Sequence, residues 1–253
     1  MATWDELEAE LALWRAAGEA PTFWWRDDDV EEPTADLDRL IPLADRFRAP
    51  LHLAAVPRGV GAPLKERLEG APGTLVLQHG LAHRNHEPKP ARASEVGVNR
   101  DLSLQKADLR EGWRLLTEAG LPRLLPVFVP PWNRIADKTL PHLPGWGFPA
   151  LSNFDRRPSP SPVAGLQIFN GHIDPIRWKE GARFAGTEKT LEQCLRHLRQ
   201  RRTGEADRDE PTGLVTHHLQ TDEATWDFTE AFMERVTRGG SSRWIALSEL
   251  MNR

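Results

Sequence analysis

The feature that most constrains this chain is a set of seven short apolar runs separated by helical patterns. The runs are 22–26 (TFWWR), 51–56 (LHLAAV), 74–78 (TLVLQ), 126–129 (PVFV), 149–151 (PAL), 166–170 (LQIFN) and 213–216 (GLVT). Each has strand length and a turn signal nearby. Helical spacing at 34–48, 61–70, 102–119 and 187–202 separates most of them, and a further helical pattern at 222–237 follows the last. Pro42 predicts a break or kink inside the first of these helices. Strands alternating with helices argue for a parallel sheet, and about seven of them favour a closed barrel over an open doubly wound sheet. The 253 residues suit one α/β barrel domain. Thr3 and Glu6 form a capping box for a helix within 1–18 that packs on the barrel through Trp4, Leu7, Leu11 and Trp14.

Charge and composition narrow the function. A formal net charge of -4 gives no electrostatic reason to expect nucleic acid or an anionic membrane as partner. The first residues, MATWDELEAELALW, carry acids where a secretory signal would be basic, and no stretch approaches 18 uninterrupted apolar residues, so a cytoplasmic protein is expected. The single cysteine, Cys194, excludes an internal disulfide framework and fits a reducing compartment. Leu191, Leu195 and Leu198 around it at helical spacing make core packing the reading for its thiol.

Polar clusters stand at or just past the C-terminal ends of five runs: DDD after TFWWR, HGLAH after TLVLQ, PPWN after PVFV, GHIDPIRW after LQIFN and HH after GLVT. In a parallel β/α barrel the ends of different strands share one rim, so segments remote in sequence converge there. His79 and His83 are four apart, and a helical turn after Gly80 would set both imidazoles on one face, as a shared divalent metal requires. His86 extends that face, although Pro88 signals that the turn is ending. Asp27, Asp28 and Asp29 supply the carboxylate that completes an Asp/His/His set with a position left for water. The competing reading is a solvated turn in which Arg26 neutralises one aspartate.

These residues together resemble the polysaccharide deacetylase superfamily of metal-dependent carbohydrate esterases and N-deacylases. Its pattern is an Asp-Asp pair after the first strand, an H-x-x-x-H, a loop with Pro and an aromatic residue, and a late strand ending in His. The resemblance spans residues 23–219 and lies in the order of the motifs. It implies a distorted β/α barrel of about seven strands, one divalent metal and hydrolysis of an N-acyl or O-acyl group. RDDDV matches an R-x-D-D-V form of the pair, which makes Asp28 the general base and Asp29 the metal ligand beside His79 and His83. Zinc is the expected metal, with cobalt, nickel or manganese as alternatives. Val30 replaces the usual glycine, and Pro-Pro-Trp-Asn at 130–133 stands where many members have an arginine motif, leaving Arg134 or Arg26 to replace that arginine.

The remaining candidates concern acid catalysis and substrate. His217 continues the last strand and is the expected general acid, and His218 takes that role if the strand is registered one residue later. Trp132 and Trp178 are candidate walls for a carbohydrate or small-molecule substrate, with Asn133 beside the first. His172 and Asp174 either orient a catalytic histidine or belong to a turn begun at Asp174-Pro175. His52, inside LHLAAV, reads as a satisfied buried histidine, and Trp24 and Trp25 as packing residues on opposite faces of one strand. The expected reaction is removal of an acyl group, acetyl first, by metal-activated water. A metal-free hydrolase of amides or cyclic imides and a non-catalytic carbohydrate-binding barrel are the alternatives.

Overall fold

The structure is a computed structural model that describes residues 1–251. Helix α1 (Trp4–Ala16) begins at the expected capping box, with Thr3 Oγ1 accepting from the Glu6 N–H and Glu6 returning a bond to the Thr3 N–H. There follow β1 (Thr22–Val30), α2 (Ala35–Arg46), β2 (Leu51–Ala55), α3 (Ala62–Glu69), β3 (Thr74–His79), α4 (Leu102–Glu118) and β4 (Leu124–Val129). The second half holds α5 (Leu143–Trp146), β5 (Ala150–Leu151), β6 (Gln167–Ile168), β7 (Ile176–Arg177), β8 (Arg183–Phe184), α6 (Thr187–Thr203), β9 (Thr212–Thr216), α7 (Glu223–Thr237), β10 (Arg243–Trp244) and α8 (Leu247–Met251). All six expected helices and all seven expected strands are present. The break expected at Pro42 is not: α2 runs through it as one helix.

Strands β1 to β6 lie side by side in chain order, all parallel, and β9 pairs with β1 from the other side. The backbone after β6 closes the curl, because Ile173 bridges Leu214 in parallel register and the Val215 N–H donates to the Ile173 carbonyl at 2.8 Å. The result is a distorted β/α barrel. The hairpin β7–β8 and the strand β10 were not anticipated, since two-residue ladders leave no periodicity to read.

Strand alternation sorts the side chains of β1. Phe23 and Trp25 join the layer between sheet and helices, packed with Leu37, Leu40, Leu191, Cys194 and Phe232, while Trp24 fills the barrel interior with Ala54, Leu77, Val127 and Phe169. Burial pushes the Cys194 thiol up, which keeps it protonated and inert. His52 is satisfied as expected: its Nδ1–H donates to the Trp25 carbonyl and its Nε2 accepts from the Leu247 N–H. Among the described residues no helix is long and apolar enough to cross a membrane.

Candidate active site

The three aspartates do not end a strand, as the sequence suggested. They lie within β1, and each has a different partner. By alternation Arg26 and Asp28 face the barrel interior and Asp27 faces outward. Both are buried, and the like charges of their neighbourhood are separated by the sheet.

Asp28 is held by Arg26. The Arg26 Nε and Nη2 donate to Asp28 Oδ1 and Oδ2 at 2.7 and 2.9 Å, a bidentate pair with both side chains essentially out of solvent. The rest of the guanidinium fork donates to Ser152 Oγ at 2.5 Å, the Ser152 carbonyl at 3.3 Å and Asn133 Oδ1 at 2.6 Å. Of the two arginines expected near that loop, Arg26 is the one that reaches both Asp28 and Asn133. Arg134 points elsewhere and donates to the Ala93 carbonyl. The Asn133 side-chain oxygen, expected beside the substrate, is engaged by Arg26.

Asp27 is held by the late histidines' segment. Its Oδ2 accepts from Thr216 Oγ1 at 2.6 Å and from the His218 N–H at 3.1 Å, and its Oδ1 lies 2.5 Å from His218 Nδ1. Trp25 Nε1 completes the chain by donating to Thr216 Oγ1. Burial alone would lower the proton affinity of His218, but the Asp27 charge and hydrogen bond raise it above the ordinary imidazole value. His218 is buried on the outer side of β1 as part of an ion pair, so the alternative that made it the general acid is set aside.

Asp29 is turned by a local irregularity. The β1–β2 register shifts between Asp27 and Val30, and Asp29 has φ 65°, a left-handed conformation that aspartate tolerates better than most residues. This bulge brings its Oδ1 to 3.2 Å from His79 Nε2 and 3.4 Å from His83 Nε2. Oδ1 is buried and makes no hydrogen bond of acceptable geometry. The His79 Nδ1–H donates to the Val129 carbonyl at 3.1 Å, which fixes the tautomer and leaves the Nε2 lone pair facing Asp29. Burial opposes the charged form of Asp29, yet the close approach of His79, with His217 and His83 behind it, outweighs burial and holds its carboxyl well below the usual range. Burial and the charge of His79 push His83 down, favouring the neutral imidazole. One ionised oxygen and two imidazole nitrogens within 4.8 Å of one another, with an orphaned oxygen at the focus, form a donor set that fits a divalent ion.

The two histidines converge without the helix expected after Gly80. The chain from Gly80 to the start of α4 is irregular, with φ 60° at Gly80 and 50° at His83. A residue 12 positions beyond His83 shapes the turn. The carboxylate of Glu95 accepts from the N–H groups of Leu81 and Ala82, both at 3.0 Å, and of Arg84 at 3.4 Å. Gly80 has no room for a side chain, because a Cβ there would lie 1.9 Å from Glu95 Oε2 and 2.6 Å from Pro131. Nothing in the sequence singled out Glu95. His86 is not part of the donor set; its N–H donates to the Ser94 carbonyl and its side chain is half-buried.

His217 completes the rim. Its Nε2 is 3.8 Å from Asp28 Oδ2, and its Nδ1 has no partner. The ring of Trp178, 48% exposed, stands edge-on to it with centroids 4.6 Å apart. Trp178 is fixed through its Nε1–H to Asp174 Oδ2 at 2.8 Å, while Asp174 Oδ1 accepts from the Ile176 N–H. Asp174 thus both makes the turn and aims the tryptophan, and it forms no hydrogen bond to a histidine. On the opposite wall Trp132, at φ 57°, lies against His83 with ring centroids 4.2 Å apart.

His172 is not at the rim. It stacks on His197, ring centroids 3.4 Å apart, with Glu210 reaching both rings at 3.3 Å. Although these three side chains also converge closely enough for a metal, His172 Nδ1 accepts from the Gly213 N–H at 3.0 Å. Its proton must therefore sit on Nε2, toward Glu210, where a metal would need a lone pair. The cluster is a buried polar clamp between α6 and β9.

No family model and no curated protein matches the sequence. Solved structures do. A Mycobacterium smegmatis protein named as a polysaccharide deacetylase superposes with a TM-score of 0.65 at 15% identity, covering 92% of each chain. A family 4 carbohydrate esterase from Streptomyces lividans, in complex with acetate, gives 0.52 at 12% identity over 87% of this chain and 88% of that one. A CE4 family pseudoenzyme from Bacillus anthracis gives 0.58 at 13% identity, covering 92% of this chain and 66% of its own. The chain has the fold of the polysaccharide deacetylases.

Proposed function

We propose that this protein is a metal-dependent hydrolase that removes an acyl group, acetyl first, from an N- or O-acylated sugar or small metabolite. The observation that carries the reading is the orphaned Asp29 oxygen facing His79 and His83, with Asp28 and His217 beside it. The same fold serves a protein described as a pseudoenzyme, so it is the side chains and not the fold that support turnover. Asp29, His79 and His83 would hold a divalent ion, which would supply a Lewis acid for the acyl oxygen and lower the pKa of water toward about 7. Two imidazoles and one carboxylate suit zinc, with cobalt or nickel as close substitutes.

Asp28 takes the proton of the attacking water. Arg26 occupies one lone pair on each Asp28 oxygen and fixes the carboxylate plane, leaving the other lone pairs for that proton. His217, on the far side of Asp28, gives a proton to the departing amine or alcohol. Trp132 and Trp178 form the walls between which the acyl-bearing ring packs.

The test is acyl release from a panel of N-acetyl and O-acetyl sugars and metabolites, followed by His217→Ala. A poor leaving group needs the proton and an aryl oxide barely does. The variant should therefore slow an alkyl amide or ester by roughly a hundredfold to ten-thousandfold and an activated aryl ester far less. Equal losses on both would remove His217 from the acid role, and no release from any substrate by metal-loaded protein would overturn the hydrolase reading.

A further inference from the structure

At the opposite end of the barrel lies a cavity of about 680 Å³ that the proposed reaction does not use. Thr22, Gln167 and Arg243, the first residues of β1, β6 and β10, line it, so it opens at the N-terminal ends of the strands. Its volume is in the range that holds a small-molecule ligand, roughly 300–1,000 Å³.

The lining carries more cationic and donor groups than the protein itself satisfies. Four arginines, Arg157, Arg201, Arg208 and Arg243, face two acids, Glu19 and Asp209. Three of the arginines are fixed in place. Arg201, 2% exposed, bonds to Thr22, Thr212 and the Arg208 carbonyl; Arg208 grips Glu19 at 2.6 Å; Arg157 bonds to Asp207 at 2.7 Å. Arg243 is exposed, and its guanidinium has no acceptor among the described residues. Trp14 is 2% exposed, the guanidinium groups of Arg201 and Arg208 lie 5.2 and 5.4 Å from its ring centroid, and its buried Nε1–H has no hydrogen-bond partner. A buried donor left unpaired costs about 1–3 kcal/mol, so an unpaired indole N–H and a guanidinium without an acceptor in the lining of one cavity point together to an acceptor that arrives from outside. Phe169, Ile245, Leu250 and Pro160 give the same cavity an apolar side.

From this juxtaposition we infer a second ligand site, for a small organic anion that carries a phosphate or carboxylate on an apolar or aromatic body. Arg243 and the Trp14 N–H take the anionic group, and the apolar side takes the body.

Calorimetric titration with phenyl phosphate, benzoate, inorganic phosphate and phenol tests this. Phenyl phosphate or benzoate should bind, with inorganic phosphate and phenol each at least tenfold weaker, and the stronger of the two anions names the group the site takes. Arg243→Ala, an exposed change that leaves the core intact, should weaken binding tenfold or more, and Leu250→Trp should abolish it by filling the cavity. A His79→Ala, His83→Ala double variant should bind as the parent does, which separates this site from the rim. Phenol binding as well as the anions do, an Arg243→Ala variant of unchanged affinity, or loss of binding in the double histidine variant would each overturn the inference.

Discussion

Arg26 should be the costliest single side chain to remove from the rim. It is fully buried, and its fork meets both oxygens of a carboxylate that is itself 1% exposed. In Arg26→Met the aliphatic volume is largely kept, but Asp28 is left as a buried carboxylate without its guanidinium, with the His217 Nε2 3.8 Å away. Breaking a buried pair by removing one partner costs about 3–5 kcal/mol, mostly the desolvation of the charge left behind. At roughly 2–4 °C per kcal/mol for a chain of this size, the melting temperature should fall by about 6–20 °C. Urea unfolding should show a lower midpoint with unchanged slope. Adding Asp28→Asn removes the stranded charge, so the double variant should recover more than half of the loss. A single variant that loses under about 1 kcal/mol, or a double variant no better than the single, would refute the claim that Arg26 exists to neutralise Asp28.

Three further outcomes follow from the same geometry. Asp27→Ala removes the acceptor that ties Thr216 and His218 to β1, and with it the anchor of the segment bearing His217; turnover should fall at least tenfold while bound metal stays constant, and Asp27→Asn, which still accepts from the His218 N–H, should recover part of it. Gly80→Ala should lower stability by about 2 kcal/mol or more and weaken metal binding, because the new Cβ meets Glu95 and Pro131; thermal melting and metal titration would register both effects, and an unperturbed variant would contradict the tight turn. Acid lability should start near neutrality: burial pushes His52 down to about 4, whereas in the unfolded chain it takes up a proton near 6.5, so stability is full above that value and is lost as pH falls toward 4. That shift amounts to about 3 kcal/mol for His52 alone, and urea midpoints at pH 7, 5.5 and 4.5 should decline less steeply in His52→Gln than in the parent.

The sequence was most legible where chemistry is written in side-chain order. Strand-end polar clusters led to Asp29, His79, His83 and His217, because a parallel barrel sends such ends to one rim. It was least legible where backbone conformation decides the outcome. The H-x-x-x-H spacing suggested a helical turn, yet Glu95 and the left-handed Gly80 and His83 produce the convergence another way. The bulge at Asp29 cannot be read from DDD, although it decides which aspartate reaches the histidines. His172 looked like a rim residue by its place after LQIFN, but Gly213 approaches closely enough to bond its ring and turns it toward Glu210.

The division of labour among Asp27, Asp28 and Asp29 is tested most directly by elemental analysis of metal-reconstituted protein alongside its aspartate variants. About one divalent ion per chain should be present in the parent and in Asp27→Asn and Asp28→Asn, and it should be lost in Asp29→Asn and in the His79→Ala, His83→Ala double variant. Full occupancy in the double histidine variant, or equal metal loss in Asp28→Asn and Asp29→Asn, would contradict the assignment of Asp29 as the ligand.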